Sequence, residues 1–282
     1  MRAPLLLIAC LCAMVPGCKD STGPLNVVSY PLGSGSVWTY HRTMSTFNFR
    51  PTRQGVTNRD TTIEEDVRTE ILGTQMLHDT VGTIKFKGTS TGNPGTDISY
   101  YTLRKNALYL YAYQSGGATD VLPKHSARYR YRYRGKSFGS IRELSRFVER
   151  GLEDASGAPS DSVTYEAQPP KVLIFPLAAG KEWTYREYGN PFAKMNKRVL
   201  YQENLTTPAG TFLTYKIQML YDWNNRGVWD TTYIFYDNVG QQGLLKRSWL
   251  VRDLLITSDT GPEVLGYFDM KIQHDLTSLK IQ

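Results

Sequence analysis

Residue types able to do chemistry are present in this chain, but few of them stand at useful spacings. The run GTSTG at 88–92 matches G-x-S-x-G around Ser90, the spacing that presents a serine nucleophile on a sharp turn. That device needs a strand before the serine and a helix after it. Here the turn-forming NPGTD follows, so no nucleophile is expected. The four histidines, His41, His78, His125 and His274, form neither H-E-x-x-H nor an i, i+4 pair. Each reads as a surface or strand-end residue. DWNNRGVWD at 222–230 has the oxygens of a calcium loop without its twelve-residue frame and terminal Glu. A hairpin turn through Asn224, Asn225 and Gly227 explains it better. Glu64, Glu65 and Glu166 are of the type used by glycosidases, yet nothing fixes their separation. The expectation is therefore no catalytic residue, no metal and no cofactor.

Charge is the most uneven property. Residues 121–150 hold nine Lys or Arg against two Glu, an excess that equals the formal net charge of the whole chain, +7. Within RYRYRYRG, a strand would send Arg128, Arg130, Arg132 and Arg134 to one face and Tyr129, Tyr131 and Tyr133 to the other. Four like charges on one face repel and want water, carboxylates or an anionic partner. With Lys136, Arg142 and Arg146 they make a candidate patch for lipid phosphates, acidic glycans or a partner protein. The alternative is a tyrosine face packed on the core and a solvated arginine face, offset by Glu64, Glu65 and Asp66. Trp223 and Trp229 flank the turn at 222–230 and are candidates for an aromatic platform for sugars, or for ordinary core packing.

The elements that must position these residues are mainly strands. Nineteen tyrosines and short apolar runs bounded by Gly, Asn and Pro point to a β protein. In TFLTYKIQMLY, Leu213, Tyr215, Ile217, Met219 and Tyr221 share a face. In VLGYFDMKIQ, Val264, Phe268, Met270 and Ile272 oppose Asp269, Lys271 and Gln273. TIKFKG and NALYLYAY keep the same period, and such alternation predicts half-buried antiparallel strands. One helix is expected in SIRELSRFVERGLEDASG, with Ile141, Leu144, Val148 and Leu152 on one face, Ser140 and Glu143 as a capping box, and Gly151 near the end.

A pattern recurs. YPLGSGSVWTY at 30–40 and FPLAAGKEWTY at 175–185 share Pro-Leu, a glycine, and Trp-Thr-Tyr. Each is followed by a Gly-Thr strand and a tyrosine-rich one, GTIKF and SYYTL in the first half, GTFLTYKI and TTYIFY in the second. The order predicts two related antiparallel β modules of curved-sheet or half-barrel type. Residues 28–120 form module 1 and 166–282 module 2, with 121–165 as a basic strand and helix insert with a linker.

The first residues supply an address. One charge, Arg2, precedes an apolar run from Leu5 to Val15, too short to span a bilayer but suited to a secretory signal peptide. It ends in Val15-Pro16-Gly17-Cys18, which resembles the lipobox of bacterial lipoproteins. LIAC, ending at Cys10, fits the box better letter by letter, but cleavage there leaves an apolar run of about five residues, below the usual signal length. Cys18 is preferred, and an ordinary signal peptide with a chance cysteine is the alternative. All three cysteines, Cys10, Cys12 and Cys18, lie in this region, so the mature body has no disulfide. Residues 1–17 then form the signal, and 18–27 a lipidated tether. No later segment is apolar enough to cross a membrane.

The PL-x-x-G-x-x-W-x-Y strand together with PAGTF at 208–212 resembles a group of uncharacterised bacterial lipoproteins with β domains. That resemblance implies an envelope location and brings no established activity. Lys19 after the cysteine, where lipoproteins kept at the inner membrane carry Asp, implies the outer membrane. The expectation is a non-enzymatic binding or scaffold protein, held to the membrane by its lipid, with an envelope protein, glycan or anionic lipid as partner and no nucleic acid. The alternatives are a carrier of lipids or apolar ligands with a curved sheet, and a glycan-binding or glycan-active protein.

Overall fold

The computed structural model describes residues 30–57, 60–114, 129–149, 163–189, 192–223, 225–259, 261 and 263–282. Residues 1–29, over which a signal and a tether are expected and which include Cys10, Cys12 and Cys18, lie outside the described residues, as do His125, Arg128, Gly151, Leu152 and Asn224. The fold is mainly antiparallel β. The first half is a meander of β1 (Val37–Pro51), β2 (Thr61–Leu77), β3 (Val81–Ser90), β4 (Asn93–Arg104) and β5 (Ala107–Gln114). Then come β6 (Tyr129–Tyr133), β7 (Lys136–Phe138), helix α1 (Ile141–Glu149), β8 (Thr164–Tyr165) and β9 (Lys171–Ile174). A second meander follows: β10 (Glu182–Gly189), β11 (Phe192–Thr207), β12 (Gly210–Asp222), β13 (Tyr233–Gly240), β14 (Gly243–Ser258) and β15 (Val264–Lys280).

The two meanders form one sheet. Its order is β10-β11-β12-β13-β14-β15-β1-β2-β3-β4-β5-β8, with β6 beside β14, β7 beside β6, and β9 beside β5. The halves join where β1 pairs with β15, from Val37 opposite Lys280 to Pro51 opposite Gly266. Strand β9, in the second stretch by sequence order, is held by the first meander, with Ala107 opposite Ile174.

Strands far apart in the sheet order share clusters of buried side chains. Leu108 of β5 and Leu173 of β9 pack with Trp183, Val199, Tyr215 and Val239 of β10 to β13. Such contacts require the sheet to curl strongly, giving it a concave face. Among the described residues, β10 pairs only with β11, and β8 and β9 only with β5, so backbone pairing does not close the curl. Side chains bridge the gap instead. The Trp183 indole donates to the Lys171 carbonyl at 2.9 Å, and Lys197 donates to the Val172 carbonyl at 3.2 Å. Arg186 pairs with Glu166 at 2.8 Å, both side chains largely buried.

Helix α1 lies on this concave face. Ile141, Leu144 and Val148 are buried against Met44, Trp249, Val251 and Phe268, among others. Burial of three such side chains stabilises the docking by roughly 1.5–3 kcal/mol each. A nine-residue helix needs that support, being too short to persist alone. Its start follows one half of the expected capping box, Ser140 Oγ accepting from the Glu143 amide at 3.2 Å, while the Glu143 carboxylate accepts from the amide one residue earlier, that of Gly139, at 2.6 Å. No helix among the described residues is long and apolar enough to cross a membrane.

Both copies of the Pro-Leu…Trp-Thr-Tyr pattern enter the sheet alike. Gly35 and Gly180 have φ of 86° and 79°, the left-handed region where a side chain is strained. Gly35 donates to the Ile71 carbonyl and Gly180 to the Val199 carbonyl, both at 2.8 Å. Ile71 and Val199 in turn donate to the carbonyls of Ser36 and Lys181, both at 2.9 Å. Trp38 and Trp183 are both buried. Each indole finds a backbone carbonyl, that of Gln242 for Trp38 at 2.6 Å.

Two details depart from simple alternation. Asp269, expected on the wet face, is buried because Asn48 and Arg50 fold over it from a bulge in β1, where Asn48 has φ of 58°. Leu213, expected to face inward with Tyr215, is exposed near the β11–β12 turn, where the inward pattern has not begun.

Gly180→Ala should cost about 1 kcal/mol in urea denaturation, from backbone strain alone, because an added Cβ meets nothing within 4 Å. Gly35→Ala should cost more, since its Cβ would also crowd Gln282 Cγ at 3.2 Å.

Candidate functional site

The concave face carries two groups of buried charges where the alternation calls for apolar residues. On β11 the inward positions are Met195, Lys197 and Val199. On β13 they are Tyr233, Phe235, Asp237 and Val239, and on β14 Leu245, Arg247, Trp249 and Val251. Strand β1 offers Trp38, Tyr40, Arg42 and Met44, and β15 offers Met270, Ile272, His274 and Leu276. A charged residue in phase with an apolar face is the signal that identifies this group in sequence.

The first group fastens α1. Arg42 pairs with Glu65 of β2 and with Glu149 at the end of the helix, and its Nη2 donates to Ser145 Oγ at 3.1 Å. His274 Nε2 lies 2.8 Å from Glu149 Oε1. Arg142 donates to the Gly92 carbonyl at 2.8 Å and stands 3.7 Å from Glu65. The Tyr233 hydroxyl donates to the Val148 carbonyl at 2.7 Å. Burial pulls the Glu149 carboxyl upward, but Arg42 and His274 outweigh it and hold the group below the usual range. His274, expected as a surface or strand-end residue, instead lies within β15 and is largely buried. Burial lowers its pKa against the opposing pull of Glu149.

The second group is Lys197, Asp237 and Arg247. Arg247 grips Asp237 with two hydrogen bonds, Nε to Oδ1 at 2.6 Å and Nη2 to Oδ2 at 3.1 Å. Lys197 Nζ reaches Oδ2 at 3.5 Å and lies 5.1 Å from the centre of the Tyr185 ring. Burial keeps Asp237 from falling further, yet the two cations hold it below its ordinary value. Burial pushes Lys197 down to about 8, Asp237 opposing and Arg247 assisting. Tyr30, Tyr40 and Tyr101 complete the surroundings, their hydroxyls raised by burial and each within the electrostatic influence of Arg247 and Asp237. Tyr40 donates to the Leu244 carbonyl at 2.9 Å.

The candidates read from sequence lie elsewhere. Strand β6 alternates as expected, with Tyr131 and Tyr133 buried and Arg130 exposed. Arg130 donates to Ser137 Oγ at 3.0 Å and faces Asp259 at 3.7 Å, and Arg132 shares its face. Arg134 leaves the strand: it sits in the β6–β7 turn with φ of 44°, so its side chain folds back rather than joining the arginine face. Its guanidinium lies 3.6 Å over the Trp223 ring and pairs with Asp230, which also accepts from the Trp223 indole. The basic stretch and the aromatic pair thus meet at Arg134 and Trp223, and the chain supplies its own anion there. Trp229 is half-buried in the same loop. Lys136 lies 5.4 Å from the Phe147 ring, and Arg146 is half-buried on α1.

The carboxylates singled out by sequence are engaged within the fold. Asp222 accepts the amides of Arg226 and Gly227, at 3.0 and 2.6 Å, which organises the loop that follows β12. Glu65 and Glu166 are taken by Arg42 and Arg186, and Glu64 stands 3.8 Å from His41. Ser90 ends β3 and is followed by a turn into β4, a hairpin rather than a nucleophile elbow.

No family model matches the chain, and no curated protein matches it either. Among solved structures, a candidate lipoprotein from Parabacteroides distasonis aligns over 92% of this chain and 100% of its own, at 13% identity and a TM-score of 0.37. A candidate exported protein with a YmcC-like fold, from Bacteroides fragilis, covers the same shares at 10% identity and a TM-score of 0.37. DynF, from the dynemicin biosynthesis pathway of Micromonospora chersina, aligns over 97% of this chain and 92% of its own at 6% identity and a TM-score of 0.23. Likeness at this level assigns neither activity nor partner.

Lys197 makes stability depend on alkaline pH. Below about 8 both folded and unfolded chains carry its proton, and the fold bears the cost of burying the charge. Between there and the ordinary value of 10.5, the folded chain has lost a proton that the unfolded chain keeps, so stability rises with pH. From pH 7 to 9.5, wild type should gain about 2 kcal/mol relative to Lys197→Met in urea denaturation. Equal pH dependence of the two proteins would remove the buried, charged Lys197 from the account.

Proposed function

We propose that the chain is an exported protein of the bacterial cell envelope, anchored by lipid at Cys18 and facing the periplasm or surface from the outer membrane, with a non-enzymatic binding role. The observation that carries the binding role is the curl of the sheet. Its ends are stitched by Trp183, Lys197 and Arg186, and its concave face holds charged side chains. Such a body encloses a ligand more readily than it displays a flat face. Commitment of the buried carboxylates Glu65, Glu149, Glu166 and Asp237 to arginines supports binding over glycan hydrolysis, which needs one free acid and one free base. The self-neutralised Arg134–Asp230–Trp223 group weighs against the basic stretch as the main docking surface.

The anchor is supported by the short apolar leader, by Cys18 at its end and by the confinement of all cysteines to the first eighteen residues. Two acyl chains suffice for stable membrane attachment. Fractionation of cells expressing wild type and Cys18→Ala tests it. Wild type should stay with membranes through a high-salt wash, and the variant should move to the soluble fraction. Equal membrane retention of both would overturn the lipid anchor.

A further inference from the structure

We infer that the concave face around Arg247 is a binding site for one organic anion, a carboxylate or a phosphate monoester carried on an apolar body. The inference deepens the binding role proposed above and does not depend on the anchor. It starts from a charge count. Lys197 and Arg247 share one carboxylate, Asp237, and among the described residues no second carboxylate stands within ion-pair reach of either. The neighbouring group is balanced by itself: Arg42 and Arg142 face Glu65 and Glu149. Among the described residues, one positive charge of this pair is therefore left without a carboxylate of its own. An unpaired charge away from bulk water is costly, and a bound anion removes that cost.

Geometry locates the vacancy at Arg247. Its Nε and Nη2 are spent on Asp237, while Nη1 has no acceptor among the described residues. The flanking inward residues of β14, Leu245 and Trp249, are 0% and 3% exposed, yet 32% of the Arg247 side chain remains accessible. A side chain that points inward and still keeps a third of its surface borders open space on the concave side. A guanidinium with a free edge is suited to the planar oxygens of a carboxylate or to a phosphate.

The apolar body follows from the remaining lining. The Arg247 guanidinium carbon lies 5.4 Å from the centre of the Phe235 ring and 5.6 Å from that of Trp249. Across the curl stand Tyr30 and Tyr101, both half-buried, and Phe86, which meets Tyr101 edge-on at 4.9 Å. Aromatic surface with a few polar atoms is the usual lining for an amphiphile.

The test uses the purified full chain in a non-ionic detergent. Its tryptophan fluorescence, to which Trp249 contributes beside the site, is titrated with octanoate, octyl phosphate and 1-octanol. At least one anion should saturate and bind ten-fold or more tighter than octanol, and Arg247→Met should lose ten-fold or more of that affinity. Preference between octanoate and octyl phosphate names the headgroup. Octanol binding as tightly as both anions, no saturation by either anion, or unchanged anion binding in Arg247→Met would each overturn the site. Should Arg247→Met fail to fold, the anion-to-octanol ratio in wild type decides alone. Failure here would leave the Cys18 fractionation result intact, and the reverse holds equally.

Discussion

An open β-sheet ends in two rows of N–H and C=O groups, which must find water, a cover or another strand. In this protein the curl brings both ends near one another, and among the described residues they do not pair through their backbones. Three long side chains join the two ends: an indole and an ammonium take carbonyls of β9, and a guanidinium takes a carboxylate just after β8. Much else follows from that arrangement. The curl needs the deep apolar contacts between β5 and β11 to β13, and it creates the concave face on which α1 and the buried charges sit. A bridge of side chains fixes the gap with fewer contacts than a ladder would, and leaves it separable without breaking any strand.

Lys197 shows how closely the bridge and the interior charges are linked. Its ammonium touches the β9 carbonyl on one side and Asp237 on the other. The same residue that helps hold the two ends together therefore senses the charge state inside the curl. A change at Arg247 reaches the seam through two steps, Asp237 and Lys197, each a direct contact. Helix α1 is held in a parallel fashion by Arg42 and His274. The Trp249 ring next to His274, at 5.5 Å, brings the two charged groups side by side.

Much of the fold was legible in the chain because a strand face is set by period two alone. The alternation of β6 and β12, the cap and apolar face of α1, and the matching entry of β1 and β10 all follow from local rules of turn, cap and packing. The charged interior was less legible for a physical reason. Lys197 and Asp237 meet through the register of β11, β12 and β13, in which Val199 and Asp237 both stand opposite Ile217, and no local pattern in any one strand reveals that register. His274 looked like a strand-end residue because its partner, Glu149, is 125 positions away. Arg134 was placed with its neighbours on the arginine face, although the following Gly135 marks a turn in which the side chain reverses direction.

The pairing of β1 with β15 has a consequence in time. Strand β1 stands in the middle of the sheet, and one of its flanks is the strand that reaches Lys280. In a chain that emerges from its amino end, the first meander is complete long before this neighbour exists. Until then the hydrogen-bonding edge of β1 stays open, and Trp38 and Tyr40 lack the carbonyls of Gln242 and Leu244. Contacts of such sequence separation form slowly, and an exposed edge in the interval invites wrong pairing. The fold thus sets an order of assembly in which its centre is sealed last.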